Sequence, residues 1–254
     1  MTSSGYTTVF ISGVNRGIGK ALAAAYLRRS NHWVIGSIRN TSPADQVEEL
    51  SRSPVGDNSK LMLVKIESTA PGDPEQAVEE MRAAGINHLD IVISNAGGGS
   101  PPLAPLNTVT ADEMLKAYHT NAVAPLQLFQ ALEPLLQKSK TAKWIWQSSI
   151  GGSINSMSET ASWFGPSYGA ARAASNWIAS ALHFTNEWLT IVPIHPGLVQ
   201  TPSGNYVAKQ IGLEEAPVTV ELCVERILSF VDNATRIKDS GKFISVVEGS
   251  TLPW

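Results

Sequence analysis

Short apolar runs alternate with longer segments of helical period along the whole chain. Seven runs rich in β-branched and other apolar residues predict strands at 7–12, 33–37, 61–66, 91–94, 143–147, 190–195 and 242–247. Between them, apolar residues recur at helical spacing, and the clearest predicted helices span 18–29, 74–84, 111–136, 166–184 and 219–230. This alternation is typical of a parallel sheet with helices on both faces. We therefore predict an α/β fold, a doubly wound parallel sheet of seven strands in a single domain over residues 1–254.

The least regular stretches of the chain all follow predicted strands. They span 97–108, 151–167 and 197–217. In an open α/β sheet, ligands bind beyond the carboxyl ends of the strands, which is where these stretches begin. We expect the functional residues there.

Composition adds an expectation about assembly. Charged residues make up only 16% of the 254 residues, whereas 43% are hydrophobic and seven are Trp. Typical soluble domains carry about 25% charged residues, so this chain has a large core or buried subunit faces. The Ala-rich segment 169–182 is small and apolar on several faces, which suits close packing against a second subunit. We expect a homodimer or a homotetramer.

The charge pattern argues against several classes of partner. The net charge is −3, and the 19 Lys and Arg residues are scattered rather than gathered in a basic stripe. We therefore expect neither nucleic-acid nor membrane binding. The first residues lack the features of a signal peptide, and the lone Cys223 cannot form an internal disulfide. A cytoplasmic protein without a metal site is the prediction.

A glycine-rich turn lies between the first predicted strand and the first predicted helix. It contains Gly13, Gly17 and Gly19. Without a β-carbon, glycine lets backbone approach a ligand closely, and the helix that follows presents unpaired N–H groups to a pyrophosphate. A strand before the turn and a helix after it are the setting of a dinucleotide site in a Rossmann fold.

The end of the second predicted strand distinguishes between two dinucleotides. An acidic residue at this point binds the ribose 2′-hydroxyl of NAD, but the strand ends in Ser37-Ile-Arg39-Asn40. Arg39 and Arg16 supply positive charge suited to a 2′-phosphate, which favours NADP(H). The alternative is that both arginines are simply solvated.

Tyr168 and Arg172 are the candidate chemical pair. They lie four residues apart in a predicted helix and so share one face. A cation beside a phenol favours the phenolate and lowers a pKa that starts near ~10, as proton transfer near neutral pH requires. Such a pair on its own also fits a solvated helix face.

Five ordered motifs give these residues a common context. They are Ser12-Gly-x-x-x-Gly-x-Gly19, Asn95-Ala-Gly97, Ser148-Ser-Ile-Gly-Gly152, the pair Tyr168 and Arg172, and Pro196-Gly-x-Val-x-Thr201. Together they resemble the short-chain dehydrogenase/reductase family over nearly the full chain. The ending Gly249-Ser-Thr-Leu-Pro-Trp254 is similar to that of carbonyl reductases of the sniffer and norsolorinic acid ketoreductase type.

The resemblance implies roles for individual residues. Ser149 binds the substrate carbonyl, Tyr168 donates a proton to it, Asn121 holds a water in the proton path, and Arg172 stands where the family has Lys. The implied cofactor-binding residues are Gly13, Asn15, Arg16, Gly17, Ile18, Gly19, Arg39, Glu67, Asn95, Ala96, Gly97, Tyr168, Arg172, Pro196, Gly197, Val199 and Thr201. Trp163 and Phe164 line the substrate pocket, or else pack in a surface loop or a subunit interface.

Asn121 also has a local physical argument. Pro125 follows it by four residues in the predicted helix and has no N–H, so the Asn121 carbonyl loses its helical partner. His183 and His195 lie in apolar elements, where a packed histidine is the common explanation, and we assign them no role.

Two functions remain open because of Arg172. The first is an NADPH-dependent reductase for a ketone or aldehyde of an apolar or aromatic metabolite, in keeping with secondary metabolism. The second is an altered, non-redox chemistry such as cyclisation or dehydration, or nucleotide sensing. Arginine keeps the positive charge and several donors, but its fork is wider than an ammonium group and never deprotonates.

Overall fold

The computed structural model describes residues 5–39, 44–98, 104–160 and 165–254. Its strands are β1 (Thr7–Ser12), β2 (His32–Ile38), β3 (Lys60–Lys65), β4 (Ile91–Ser94), β5 (Lys143–Gln147), β6 (Thr190–His195), β7 (Phe243–Ser245) and β8 (Ser250–Leu252). Its helices are α1 (Gly17–Leu27), α2 (Ala44–Ser51), α3 (Asp73–Ala83), α4 (Ala111–Tyr118), α5 (Ala124–Leu136), α6 (Met157–Thr160), α7 (Pro166–Thr185), α8 (Pro202–Gln210), α9 (Val220–Asn233) and α10 (Arg236–Asp239). Trp163 and Phe164 lie outside the described residues.

The chain forms two compact units. The first contains Met1–Ala96 and Gln127–Trp144, and the second contains Gly97–Leu126 and Ile145–Trp254. Strand β5 runs through both, since the boundary falls between Trp144 and Ile145.

In the first unit, β1 lies between β2 and β4, and β2 also pairs with β3. All three of these pairings are parallel. Residues 9–11 of β1 are completely buried apolar side chains, as a strand covered on both faces requires. This arrangement brings the carboxyl ends of β1, β2 and β4 to one edge.

In the second unit, β6 pairs with β7 in parallel, and β8 turns back to pair with β7 in antiparallel fashion. The order of the whole sheet is β3-β2-β1-β4-β5-β6-β7-β8. The predicted α/β class with a mostly parallel sheet is confirmed.

The number of strands differs from the prediction. All seven predicted strands are present, but β8 adds an eighth, antiparallel edge strand. It has only three residues, too few to show an alternating pattern, and two of them are exposed. The helix α8 likewise lies in a stretch that the sequence marks as irregular.

The predicted helix 111–136 is interrupted. It consists of α4, a π-helical turn over His119–Val123, and α5. Pro125 lies two residues after the end of this turn and cannot donate to the carbonyl four residues earlier, so the hydrogen-bond ladder shifts register there. None of the helices in the described ranges is both long and apolar enough to cross a membrane.

Candidate active site

The glycine-rich turn of the first unit needs glycine for two different reasons. Gly13 and Gly17 have φ values of 74° and 58°, in the left-handed region that L side chains rarely adopt. At Gly19 the reason is space, because a β-carbon there would lie 2.3 Å from the Gly13 carbonyl oxygen. The backbone is therefore folded tightly against the start of α1.

Hydrogen bonds of Ser12 and Asn95 hold this turn in place. The Asn95 amide nitrogen donates to the carbonyl oxygens of Ser12 at 2.8 Å and Gly13 at 3.1 Å. In return, the Ser12 hydroxyl oxygen accepts hydrogen bonds from the backbone N–H groups of Asn95 and Ala96, at 3.0 and 2.8 Å. The Asn95 side chain therefore holds the glycine-rich turn in shape, which is a structural role.

The first turn of α1 has no side-chain cap. Arg16, which precedes the helix, makes no capping side-chain hydrogen bond to it. The backbone N–H groups beside Gly17 and Ile18 therefore keep the free donor capacity that suits a phosphate. Asn15 next to them is buried and donates to Gln46 at 3.2 Å.

The remaining predicted cofactor residues of the first unit follow strands. Arg39 comes directly after β2, and both it and Arg16 are exposed. Glu67 follows β3, is half-buried, and its backbone N–H donates to the Asp73 carboxylate at 2.8 Å.

In the second unit, Ser149 ends an extended segment and begins a 3-10 turn over Ile150–Gly152. Its hydroxyl oxygen accepts from the Gly151 N–H at 3.1 Å, and it donates to no partner within the described ranges. The neighbouring Ser148 hydroxyl, by contrast, is buried and donates to Asn176 at 2.5 Å. Of the two serines, Ser149 is the one with a proton to offer a ligand.

Tyr168 and Ser149 both lie close to Gly151. A β-carbon on Gly151 would lie 3.4 Å from the Ser149 hydroxyl oxygen and 3.9 Å from the Tyr168 ring. Tyr168 is half-exposed in the first turn of α7, so its ring is available to a ligand. The two predicted reactive hydroxyl side chains therefore lie near each other.

Arg172 lies one helical turn after Tyr168 on α7. Its guanidinium carbon is 5.1 Å from the Tyr168 ring centroid, a cation–π arrangement. The side chain is buried, and Nη1 donates to the Gln147 carbonyl oxygen at 2.8 Å. Its Nε is buried without a hydrogen-bond partner. A buried guanidinium N–H without a partner is costly, and it suits a ligand atom that accepts.

Asn121 holds the loop that follows β4. It is completely buried in the π-helical turn; its side-chain oxygen accepts from the Gly98 N–H at 3.0 Å, and its amide donates to the Gly98 carbonyl at 3.2 Å. A β-carbon on Gly97 would lie 2.9 Å from Arg172 Nη2 and 3.1 Å from Asn121 Oδ1. Gly97, Asn121 and Arg172 therefore form one cluster.

The segment after β6 contains the last predicted cofactor residues. Gly197 has a φ of 86°, and Val199 forms an isolated bridge with Val218 that holds the segment beyond Pro196 in place. Thr201 caps α8, since its hydroxyl oxygen accepts from the Gly204 N–H at 3.1 Å. Thr201 thus has a clear structural task in the chain.

His195 is a residue that sequence reasoning left without a role. Its Nδ1 accepts from the Ile150 N–H at 3.3 Å, directly after Ser149. Burial lowers the pKa of His195 to about 4, against a smaller opposing effect of Glu248, so the ring is neutral and can accept at neutral pH. His195 lies at the end of β6, directly before the Pro196-Gly197 turn, and this position could have identified it from the sequence.

Two other chemistries find no support in the described part of the chain. No group of three or more His, Cys, Asp or Glu residues there could hold a metal ion. Cys223 is free and buried, and burial raises the pKa of its thiol to about 12, which leaves it as an inert core side chain.

The chain is similar to known proteins along almost its whole length. A family model described as short chain dehydrogenase matches residues 7–212. The chain is 47% identical over 248 residues to a short-chain dehydrogenase of Pyricularia oryzae, and the match covers 98% of each protein. It is 36% identical over 251 residues to a norsolorinic acid ketoreductase of Dothistroma septosporum, covering 98% of this chain and 92% of that protein.

A solved structure gives a similar picture. The NADPH-bound carbonyl reductase from chicken fatty liver matches with a TM-score of 0.84 at 29% identity, and the match covers 98% of this chain and 99% of that one.

Proposed function

The chain belongs to the short-chain dehydrogenase family of oxidoreductases, and from that premise we propose that it is an NADPH-dependent carbonyl reductase. The substrate is a ketone or aldehyde of a small apolar or aromatic metabolite. The observation that carries the proposal is that the Ser149 hydroxyl and the Tyr168 ring both lie within 4 Å of the position that a β-carbon on Gly151 would take, with the Arg172 guanidinium against that ring.

The residues of each unit fit a nicotinamide dinucleotide. In the first unit, the turn that Gly19 closes leaves backbone N–H groups exposed at an uncapped helix start. In the second unit, the buried Nε of Arg172 lacks an acceptor, which a ribose hydroxyl would supply. When bound, such a cofactor supplies the hydride that reaches the carbonyl carbon.

The chain's own residues handle the carbonyl oxygen. Ser149 donates a hydrogen bond to it and stabilises the negative charge that develops there. Tyr168 gives its phenolic proton to the same oxygen, which completes the alcohol. The positive charge of Arg172 then stabilises the phenolate that remains. Asn121 holds Gly98, and with it the loop beside Arg172, in a fixed position.

Preference for NADPH over NADH rests on the two exposed arginines. Arg16 and Arg39 follow β1 and β2, and a guanidinium binds a 2′-phosphate with paired hydrogen bonds. Similarity to an NADPH-bound carbonyl reductase supports the same cofactor. Similarity to a norsolorinic acid ketoreductase supports a ketone as the reacting group.

The test is NADPH consumption by the purified protein with a panel of aliphatic and aromatic ketones, aldehydes and quinones, repeated with NADH. We expect turnover with NADPH and a higher KM for NADH. Tyr168→Phe should lower kcat by about 100-fold or more, because it removes the proton donor, while NADPH still binds. Tyr6→Phe, on a ring that packs against Trp33, is the matched control and keeps full activity.

One observation favours a second function. Arg172 donates from Nη1 to the Gln147 carbonyl, and this hydrogen bond narrows what the guanidinium can do in a proton relay. A non-redox chemistry or a nucleotide sensor would fit such a site. NADPH binding without reduction of any carbonyl, together with a biological activity that survives Tyr168→Phe, would establish this reading and reject the reductase.

A further inference from the structure

Three residues of α7 lie along one stripe of the helix. Tyr168, Arg172 and Asn176 follow one another at intervals of four positions, so their side chains leave the same face of α7. The Tyr168 ring lies close to Gly151, and Arg172 donates to the Gln147 carbonyl oxygen at 2.8 Å. The first two residues of the stripe thus meet the segment that surrounds the reactive serine, and the third meets it as well.

Asn176 is bound to Ser148, the residue before Ser149. The Ser148 hydroxyl donates to Asn176 Oδ1 at 2.5 Å, and both side chains are buried. The Ser148 backbone is held as well, since its N–H donates to the Ile194 carbonyl oxygen of β6 at 2.8 Å. Ser148 is therefore fixed by β6 through its backbone and by α7 through its side chain.

The direction of the Ser149 side chain depends on Ser148. Ser149 has an extended backbone, with φ of −155° and ψ of 145°, and in extended chain successive side chains point to opposite sides. A rotation of Ser148 about its backbone would therefore turn the Ser149 hydroxyl with it. The hydrogen bond between Ser148 and Asn176 prevents this rotation.

The amide nitrogen of Asn176 weighs against a purely structural role for this residue. Nδ2 is buried and has no hydrogen-bond partner among the described residues. A buried amide donor without a partner lowers the free energy of unfolding, whereas a leucine of similar shape would bring no such loss. Asn176 thus makes one hydrogen bond and leaves another group unpaired, and packing alone gives no reason for an amide at this position.

We propose that Asn176 is a positioning residue for carbonyl reduction. By holding Ser148, it fixes the place from which the Ser149 hydroxyl donates to the substrate oxygen. Tyr168, on the same stripe of α7, gives its proton to that oxygen, so one helix sets the positions of both reactive hydroxyl groups. The inference rests on the proposed reductase function and adds to it a residue that acts through Ser149 rather than on the substrate itself.

The first measurement separates activity from stability in the double variant Ser148→Ala/Asn176→Leu. Both partners become apolar, so neither is left as a buried polar group, and the urea midpoint should equal or exceed that of the parent chain. With NADPH and phenanthrenequinone, kcat should fall about tenfold, less than the ~100-fold for complete loss of such a donor, while KM and the Kd for NADPH stay within about twofold. A lower urea midpoint with unchanged kcat would overturn the inference, because it would mark a structural role.

The single variants break the same hydrogen bond. Ser148→Ala and Asn176→Leu should therefore each lower kcat by about the same factor as the double variant. Asn186→Leu is the matched control, since Asn186 is also buried but donates to the Leu182 carbonyl oxygen within its own helix, at 3.0 Å. It should keep the parental kcat.

The second measurement asks whether Asn176 acts through Ser149. When Ser149→Ala is already present, adding Asn176→Leu should change kcat by no more than about twofold, because the hydroxyl that Asn176 positions is gone. A further tenfold loss in that background would overturn the inference. Ser148→Ala, a smaller change, gives the same comparison in a chain where Asn176→Leu does not fold. If the parent chain binds NADPH and reduces neither phenanthrenequinone nor any other carbonyl of the panel, the proposed function fails and this inference with it.

Discussion

Arg172 is the residue whose surroundings say most about what a single side chain contributes. Sequence reasoning places it beside Tyr168, and the guanidinium does lie against that ring. Its hydrogen bond to the Gln147 carbonyl and its unpartnered Nε could not be predicted, because they depend on how α7 meets the end of β5. Helical spacing predicts neighbours on one helix and says nothing of partners on a strand 25 residues away.

Arg172 should therefore matter for stability as well as for activity. Arg172→Met removes a charge-assisted hydrogen bond to a buried carbonyl, and we expect the free energy of unfolding to fall by about 1.5–3 kcal/mol. Arg172→Lys keeps a positive charge and should retain more activity than Arg172→Met, within about tenfold of the parent chain. Urea denaturation and steady-state kinetics measure the two effects.

Arg226→Met is the control for this prediction. Arg226 is an exposed residue of α9, and its replacement should change stability by no more than about 0.5 kcal/mol. If Arg172→Met and Arg226→Met have the same urea midpoint, the hydrogen bond to Gln147 contributes nothing measurable. A sharp rise in rate for Arg172→Lys would instead show that the native arginine impairs the reductase.

At the scale of the element, α7 has two different faces. The buried face carries small and polar residues, Ser167, Ala171, Arg172, Ser175, Asn176 and Ala179. The outer face carries Trp177 and Phe184, seven residues apart and exposed by 72% and 77%. Leu115 and Tyr118 are also exposed on α4, which packs against α7. Large apolar side chains gathered on two adjoining helices are typical of a protein interface.

We propose that this face joins two copies of the chain. The low fraction of charged residues in the whole chain, 16%, also favours a buried subunit contact. Trp177→Glu should shift the protein from an oligomer to a monomer in sedimentation velocity, because a carboxylate at the centre of an apolar contact is left desolvated. Ile237→Glu, at an isolated and completely exposed position, should leave the oligomer intact. A parent chain that sediments only as a monomer contradicts the proposal.

Elements also show where sequence patterns are sufficient. The first seven strands follow from apolar runs because a buried strand needs consecutive apolar residues. The π-helical turn could not be predicted from the sequence, although Pro125 marks its position. A proline predicts that a helical hydrogen bond is lost, but it does not predict which local helix geometry replaces it. Strand β8 depends on β7 for its hydrogen bonds and has no pattern of its own.

At the scale of the whole molecule, two histidines make stability depend on pH. Burial lowers the pKa of His195 from 6.5 to about 4, and burial, with Arg236 as a second cause, lowers that of His183. Both rings are neutral in the folded protein but charge more readily when it unfolds. The unfolded chain therefore binds more protons at low pH. The contribution of these histidines to the free energy of unfolding is fully present above about pH 6.5 and is lost as the pH drops toward 4.

The expected loss from His195 alone is about 3 kcal/mol between pH 7 and pH 4. His195→Asn should flatten this dependence, because the amide oxygen can still accept from the Ile150 N–H but does not titrate. Denaturant unfolding at a series of pH values measures it. Ile237→Asn, at a completely exposed position on α10, is the control and should keep the parental pH dependence. Parallel curves for His195→Asn and the parent chain would contradict the assignment.

The reciprocal hydrogen bonds of Ser12 and Asn95 have a consequence for synthesis of the chain. They join residues 83 positions apart, so the glycine-rich turn reaches its final shape only after β4 has been made and has paired with β1. A nascent or truncated chain that ends before Asn95 has every glycine of the turn and still lacks the groups that hold it closed. We therefore expect the proposed nucleotide to bind only to a chain in which β4 is complete.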